Sequence, residues 1–266
     1  MIRKMKKLVR TGLTIISLTV LIFSLNSCYF DLLDCIRGDG DLSEESRELT
    51  EFDEIKHYGD FDVIVIQDSI YKVEVSAEEN LIPWILTGVS NGALIIKNRD
   101  NRCLSPSRPV TITVHTPTIN RFVLAGSGSM VCDSISTYKF KASISGSGFI
   151  RADVFATDVD LNISGSGDMD FFVDADYLES NISGSGLMKI LGKVTDSDLR
   201  ITGSGDIKSL DLEQDICIAS ITGSGSIWVD VSNTLDVNIS GSGDVYYTGS
   251  PKIYSNITGS GNIIEL

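Results

Sequence analysis

Histidine, paired cysteines and positive charge are all scarce in this chain, and each shortage removes a class of function. Only two histidines, His57 and His115, occur in 266 residues, and each stands alone in a strand-like run. A lone histidine of that kind is a structural residue before it is a ligand. The cysteines are Cys28, Cys35, Cys103, Cys132 and Cys217, and their spacings fit no zinc pattern. Lysine and arginine number 22 against 36 aspartates and glutamates, for a formal charge of −14. That balance repels phosphate backbones and anionic headgroups, so no nucleic acid partner is expected.

Long apolar runs are scarce too. The run Leu13 to Leu25 follows Arg3, Lys4, Lys6, Lys7 and Arg10. A basic stretch followed by a short apolar one is the layout of an export signal, too short for a comfortable transmembrane helix. The run closes on Leu25-Asn26-Ser27-Cys28, which resembles the lipobox of bacterial lipoproteins. The resemblance implies a signal peptide over residues 1–27 and acylation of Cys28, which ties the mature chain to a membrane. Losing the five basic residues takes the formal charge from −14 to −19. Residues 28–47 are polar and mixed, and read as a lipidated tether. Export permits disulfides, and Cys35 with Cys103 is one open pairing.

What the chain has in abundance is a repeat. Gly-Ser-Gly begins at Gly126, Gly146, Gly165, Gly184, Gly203, Gly223, Gly241 and Gly259, in steps of 20, 19, 19, 19, 20, 18 and 18 residues. Two residues before each tripeptide stand Leu124, Ile144, Ile163, Ile182, Ile201, Ile221, Ile239 and Ile257. Four after its first glycine stand Met130, Ile150, Met169, Met188, Ile207, Ile227, Val245 and Ile263. Neighbours alternate apolar and polar, the period of a strand. A unit this short holds no βαβ crossover, but it does hold short strands with tight corners. Stacked units predict an all-β fold, a parallel β-helix with about 19 residues per coil, each strand about 4.8 Å from its counterpart one coil away. Variable steps favour a right-handed coil over a left-handed one built on strict hexapeptides. Residues 126–266 are the repeat β-helix. Residues 48–125 lack the tripeptide but still read as strands, and are expected to form irregular first coils that cap the solenoid, with a short helix or loop over Glu78 to Leu86. Asn162 with Asn181, and Asn238 with Asn256, fall on adjacent coils where amide ladders are expected.

The recurrent Ile-Ser/Thr-Gly-Ser-Gly-Asp-Ile unit, preceded by Phe52-Asp53-Glu54-Ile55 and Phe61-Asp62-Val63, resembles the auto-transporter adhesin head GIN domain family over roughly residues 48–266. The resemblance implies a β-helical fold and a place in the cell envelope, as an outer-membrane lipoprotein at its periplasmic or outer face. It brings no catalytic residue with it.

Other readings of the repeat fail on spacing. Asp168, Asp206 and Asp244 follow the tripeptide only on every second coil, about 9.6 Å apart. Calcium needs its oxygens within about 2.6 Å of the ion, so these aspartates are read as corner-stabilising, and no metal or cofactor is expected. Arg37-Gly38-Asp39 spells an integrin-binding tripeptide, but it lies in the expected tether and is read as a chance match. No column stacks carboxylates beside a partner base, so no catalytic residue and no enzyme is expected. Cys132 and Cys217 belong to coils about 19 Å apart, beyond the roughly 7 Å that a disulfide spans, and are expected to stay unpaired.

One column does point to binding. Five residues after the first glycine it reads Val131, Arg151, Asp170, Lys189, Lys208, Trp228, Tyr246 and Ile264. Its neighbour in sequence faces inward, so this column faces out. Lys208, Trp228 and Tyr246 then form an exposed ladder suited to sugar rings or a partner protein. The alternative is a structural or assembly protein without a small ligand. The eighth unit runs only to Leu266, soon after its corner, which leaves Ile257 and Ile263 partly uncovered and predicts end-on self-association through the C-terminal coil.

Overall fold

The computed structural model describes residues 35–266, which form a β-solenoid of about eight turns without an α-helix. The expected export signal and Cys28 lie outside the described residues. The chain opens with β1 (Ile36–Arg37), β2 (Leu42–Glu48), β3 (Glu54–Tyr58), β4 (Asp62–Gln67) and β5 (Lys72–Glu78). A 3-10 turn at Ile82–Trp84 occupies the interval expected to be a short helix or loop. Then come β6 (Ile85–Ser90), β7 (Ala93–Asn98), β8 (Leu104–Ser105) and β9 (Thr111–Thr116). The regular coils follow as β10 (Arg121–Gly126), β11 (Ser129–Ser136), β12 (Lys139–Gly146), β13 (Phe149–Phe155) and β14 (Asp158–Gly165). From β15 (Asp168–Gly184) through β16 (Leu187–Gly203), β17 (Asp206–Gly223) and β18 (Ser226–Gly241), each coil is one long strand between tripeptides. The chain closes with β19 (Asp244–Gly249), β20 (Lys252–Gly259) and β21 (Ile263–Glu265).

The repeat enforces register. Gly165 stands opposite Gly184, Gly184 opposite Gly203, and Gly203 opposite Gly223, all in parallel pairs. The isoleucines two residues before the corner therefore stack into a dry column, and from Ile144 to Ile239 none is more than 2% exposed. Each fully buried side chain of this size contributes roughly 1.5–3 kcal/mol. The corner explains its own composition. Gly184 has φ +134°, and a Cβ there would lie 2.2 Å from the Gly165 carbonyl oxygen. That carbonyl accepts a hydrogen bond from the Ser185 N–H at 2.9 Å. The second glycine faces inward, and a Cβ on Gly186 would strike the Gly167 carbonyl and Ile163.

Coil order at the N-terminal end departs from chain order. β7 pairs with β3, and β3 with β10; β9 pairs with β4, and β4 with β11, all in parallel. The coil containing β3 and β4 thus lies between two coils that follow it in sequence. Its corner is a disguised repeat, Gly59-Asp60-Phe61, whose carbonyls accept from Gly128 N–H at 3.1 Å and Ser129 N–H at 3.0 Å. The end is then capped by antiparallel strands, β5 on β9, β2 on β5, and β6 on β7.

The expected tether over 28–47 is corrected from Cys35 onward, because that stretch is built into the cap. Cys35 is disulfide-bonded to Cys103, β1 pairs with β8, and β2 pairs along its whole length with β5. Its glutamates suit an edge strand, where charge discourages further pairing. A buried carboxylate fastens the segment: Glu78 accepts from Gly40 N–H at 2.7 Å, Ser107 N–H at 2.8 Å and the Ser107 hydroxyl at 2.6 Å. These bonds, the Ser107 hydroxyl first, hold its pKa below the usual carboxylate range. Gly38 belongs to the same clasp, since a Cβ there would lie 1.9 Å from the Glu78 carboxylate. The glycine of Arg37-Gly38-Asp39 thus has a structural cause.

Cys132 and Cys217 are separate buried thiols, and burial pushes their pKa values up to about 11 and about 12. His57 takes the place in its coil that Leu124 takes in the next. It is fully buried, with Nε2 3.0 Å from the Phe61 carbonyl, so the neutral ring donates there. Burial lowers its pKa. The unfolded chain therefore takes up a proton before the folded one does, and stability present above about pH 6.5 is lost as the pH falls below that value. Thermal melts between pH 7 and pH 5 should show this loss, and His57→Leu should flatten it. Equal pH slopes for the two proteins would exclude His57 as the source.

Candidate functional site

Outward side chains of adjacent coils stand in columns because the pairing is in register. Lys208 on β17 is opposite Trp228 on β18, and Trp228 is opposite Tyr246 on β19. The structure thus brings together all three side chains singled out in the sequence. The two rings lie 5.0 Å apart between centroids and 7° from parallel. The Lys208 ammonium sits over the indole at 5.4 Å. One face of Trp228 is therefore covered by Tyr246 and the other only by a flexible ammonium. An exposed contact of that kind contributes about 0.5–1 kcal/mol, little enough for a ligand to displace. The strand that carries the indole is fixed: Ile227 and Val229 on either side are buried, and the Ser209 hydroxyl donates to the Trp228 main-chain carbonyl at 2.7 Å.

Beside the free face lies a groove of about 530 Å³, lined by Lys189, Leu191, Lys208, Leu210, Asp211 and Trp228 among others. Its shape comes from a bulge. β17 loses register with β16 beyond Lys189 and with β18 between Ser209 and Glu213. Leu210 and Asp211 consequently have no partner on either neighbouring strand. Extra residues of this kind bend a strand and re-aim side chains, and they recur beside functional sites. Sequence reasoning passed over Lys189, Leu191 and Leu210 as site residues. The available signal was the 20-residue step between Gly203 and Gly223.

Elsewhere the outward residues have structural work. The amide ladders expected from Asn162, Asn181 and Asn238 are replaced by in-strand pairs with Asp160, Glu179 and Asp236, because an acid stands two residues earlier on the same face. Asp168, Asp206 and Asp244 each accept a backbone N–H from the next coil, from Leu187, Ser226 and Asn262, at 2.9–3.2 Å. They stabilise corners. Among the described residues no group of three or more His, Cys, Asp or Glu side chains is placed to hold a metal ion.

Comparison with known proteins adds a family. The model described as "Putative auto-transporter adhesin, head GIN domain" matches residues 51–251. Among solved structures, a "putative lipid binding protein" from Parabacteroides distasonis is 27% identical, with a TM-score of 0.82 over 87% of this chain and 99% of that one. A "putative adhesin" from the same organism is 25% identical, with a TM-score of 0.84 over 88% and 100%. Another from Parabacteroides merdae, 23% identical with a TM-score of 0.83, shares the fold. No curated protein matches the chain.

Proposed function

Because the chain belongs to the auto-transporter adhesin head GIN domain family, we propose that it is an adhesin-like binding module of the bacterial cell envelope, anchored to the outer membrane by a lipid on Cys28. The reading is of a glycan-binding protein and not of an enzyme. One observation carries it: an indole lining a groove, stacked on Tyr246 on one side and met by a displaceable ammonium on the other. A sugar ring offers the flat C–H face that such an indole accepts. Its relatives of known structure are described as a "putative adhesin" and a "putative lipid binding protein", and the first of these descriptions supports the reading. A glycan array probed with residues 29–266 tests the reading. Binding should appear and should fall at least tenfold on Trp228→Ala, with the fold unchanged by circular dichroism.

The second reading is an assembly protein of the envelope. It is favoured by β20, which is exposed along its whole length, with Ile253 and Ile257 at 37% and 40%. Open strand edges template further pairing, and two copies meeting about a two-fold axis would cover both. An array without signal, together with dimers in sedimentation that dissociate on Ile257→Lys, would favour this reading over the first.

A further inference from the structure

We infer that the groove beside Trp228 selects sugars bearing an anionic substituent, with Lys189 and Lys208 as the paired cationic contacts. The inference rests on the glycan-binding reading and names its ligand class.

Elsewhere in the solenoid Lys139 faces Asp158 and Lys141 faces Asp160 on the next coil, with ion pairs at 3.8 and 2.6 Å. Among the described residues Lys189 and Lys208 form no such ion pair. They stand directly opposite each other in register, and like charges so placed repel. Asp170, next in the column, is opposite Lys189, yet neither it nor Asp211 forms an ion pair with either lysine among the described residues. Both lysines are exposed, and both line the groove. Arg121 and Lys141 also stand opposite each other, but there Lys141 is paired with Asp160; in a chain with 36 acidic residues and 22 basic ones, Lys189 and Lys208 are set apart by facing each other with no acid engaged.

A bridging anion removes the repulsion and gives both ammoniums a partner. The rest of the groove sets what carries that anion. The indole face lies next to Lys208, and Leu191 and Leu210, both 38% exposed, form an apolar floor. A ligand with an apolar ring face, an anionic substituent beside it and hydroxyls to donate uses the indole, the leucines, both lysines and the Asp170 and Asp211 carboxylates that also line the groove. An anionic sugar has that form, with its ring on Trp228 and its carboxylate or sulfate between the lysines. Lys208 then moves from the indole to the anion, which frees the ring face by the same motion.

Matched probes test this. An array of uronate oligosaccharides beside their methyl esters, and of sulfated chains beside desulfated ones, isolates charge from shape. Binding confined to the charged members is expected, weakening as salt rises. The double variant Lys189→Gln with Lys208→Gln should lose at least tenfold on them, about 1.4 kcal/mol. Carboxylated and sulfated pairs distinguish the two sources of the anion. Equal binding of neutral and charged members, abolished by Trp228→Ala but untouched by the lysine variants, would overturn the charge inference and leave the glycan reading in place. Silence on every member would overturn both.

Discussion

Gly184→Ala is expected to lower the melting temperature of the solenoid by several degrees or to prevent its folding outright. Two independent effects act at this residue. Its φ of +134° lies where side chains are strained, at a cost of order 1–3 kcal/mol. Its added Cβ would also sit 2.2 Å from the Gly165 carbonyl oxygen, a backbone atom with no rotamer to yield. Relieving the overlap means moving a coil, which breaks the Ser185 to Gly165 hydrogen bond at 2.9 Å and disturbs the matching Ser204 to Gly184 bond. Each lost bond costs about 1 kcal/mol more. A total of about 3 kcal/mol is a large share of typical stability. In a chain of this size it shifts the melting point by about 6–12 °C. Ser185→Ala is the control, since the hydroxyl is exposed and only the backbone N–H is used. A Gly184→Ala protein that melts with its Ser185→Ala counterpart would remove the steric account of the corner.

Loss of the Cys35–Cys103 disulfide should be the other large effect. The bond closes a loop across a sequence separation of 68, and the chain-entropy estimate for such a loop is about 4 kcal/mol. Its action is local in space. The loop contains β1 to β7, most of the strands that assemble the cap and the out-of-order coils. Cys35→Ser should therefore free the segment up to Glu48 before the repeat is affected. Limited proteolysis checks this: early cuts should appear within residues 35–48, with residues 121–266 still resistant. Cleavage that begins instead among the Gly-Ser-Gly corners, or a melt unchanged from the wild type, would contradict it. Because Glu78 draws its donors from both sides of the closed loop, Glu78→Gln should expose the same segment to a lesser degree.

The contrast between the two halves of the chain explains what the sequence could say. In the repeat, each residue type answers a backbone demand: glycine for the corner, isoleucine for the interior column, alternation for the faces. The demand recurs at every coil, so the pattern is visible. The first coil meets the same demands with different residues. His57 replaces the aliphatic residue and Phe61 the second glycine, so the corner around Gly59 is hidden. Residues 42–47 read as tether because their glutamates resemble a solvated linker, although an edge strand has equal use for charge. The Lys208-Trp228-Tyr246 column was legible because it follows from alternation alone. The groove next to it was not, because a 20-residue step shows that a residue is extra without showing where the strand bulges.

The order of strands at the capped end gives the molecule a direction of growth. β3 is flanked on both sides by strands that come later in the chain, β7 and β10. A polypeptide that has emerged only as far as residue 92 has neither neighbour in place. The founding layer must wait for segments far along the sequence, and such long-range closure is slow. Every layer after β11 needs only the one just laid down, as in other linear repeat arrays. Folding therefore has a delayed start and a rapid, one-way completion, from the disulfide-locked end toward Leu266. On the export route proposed above, a chain delivered N-terminus first would meet these requirements in the same order.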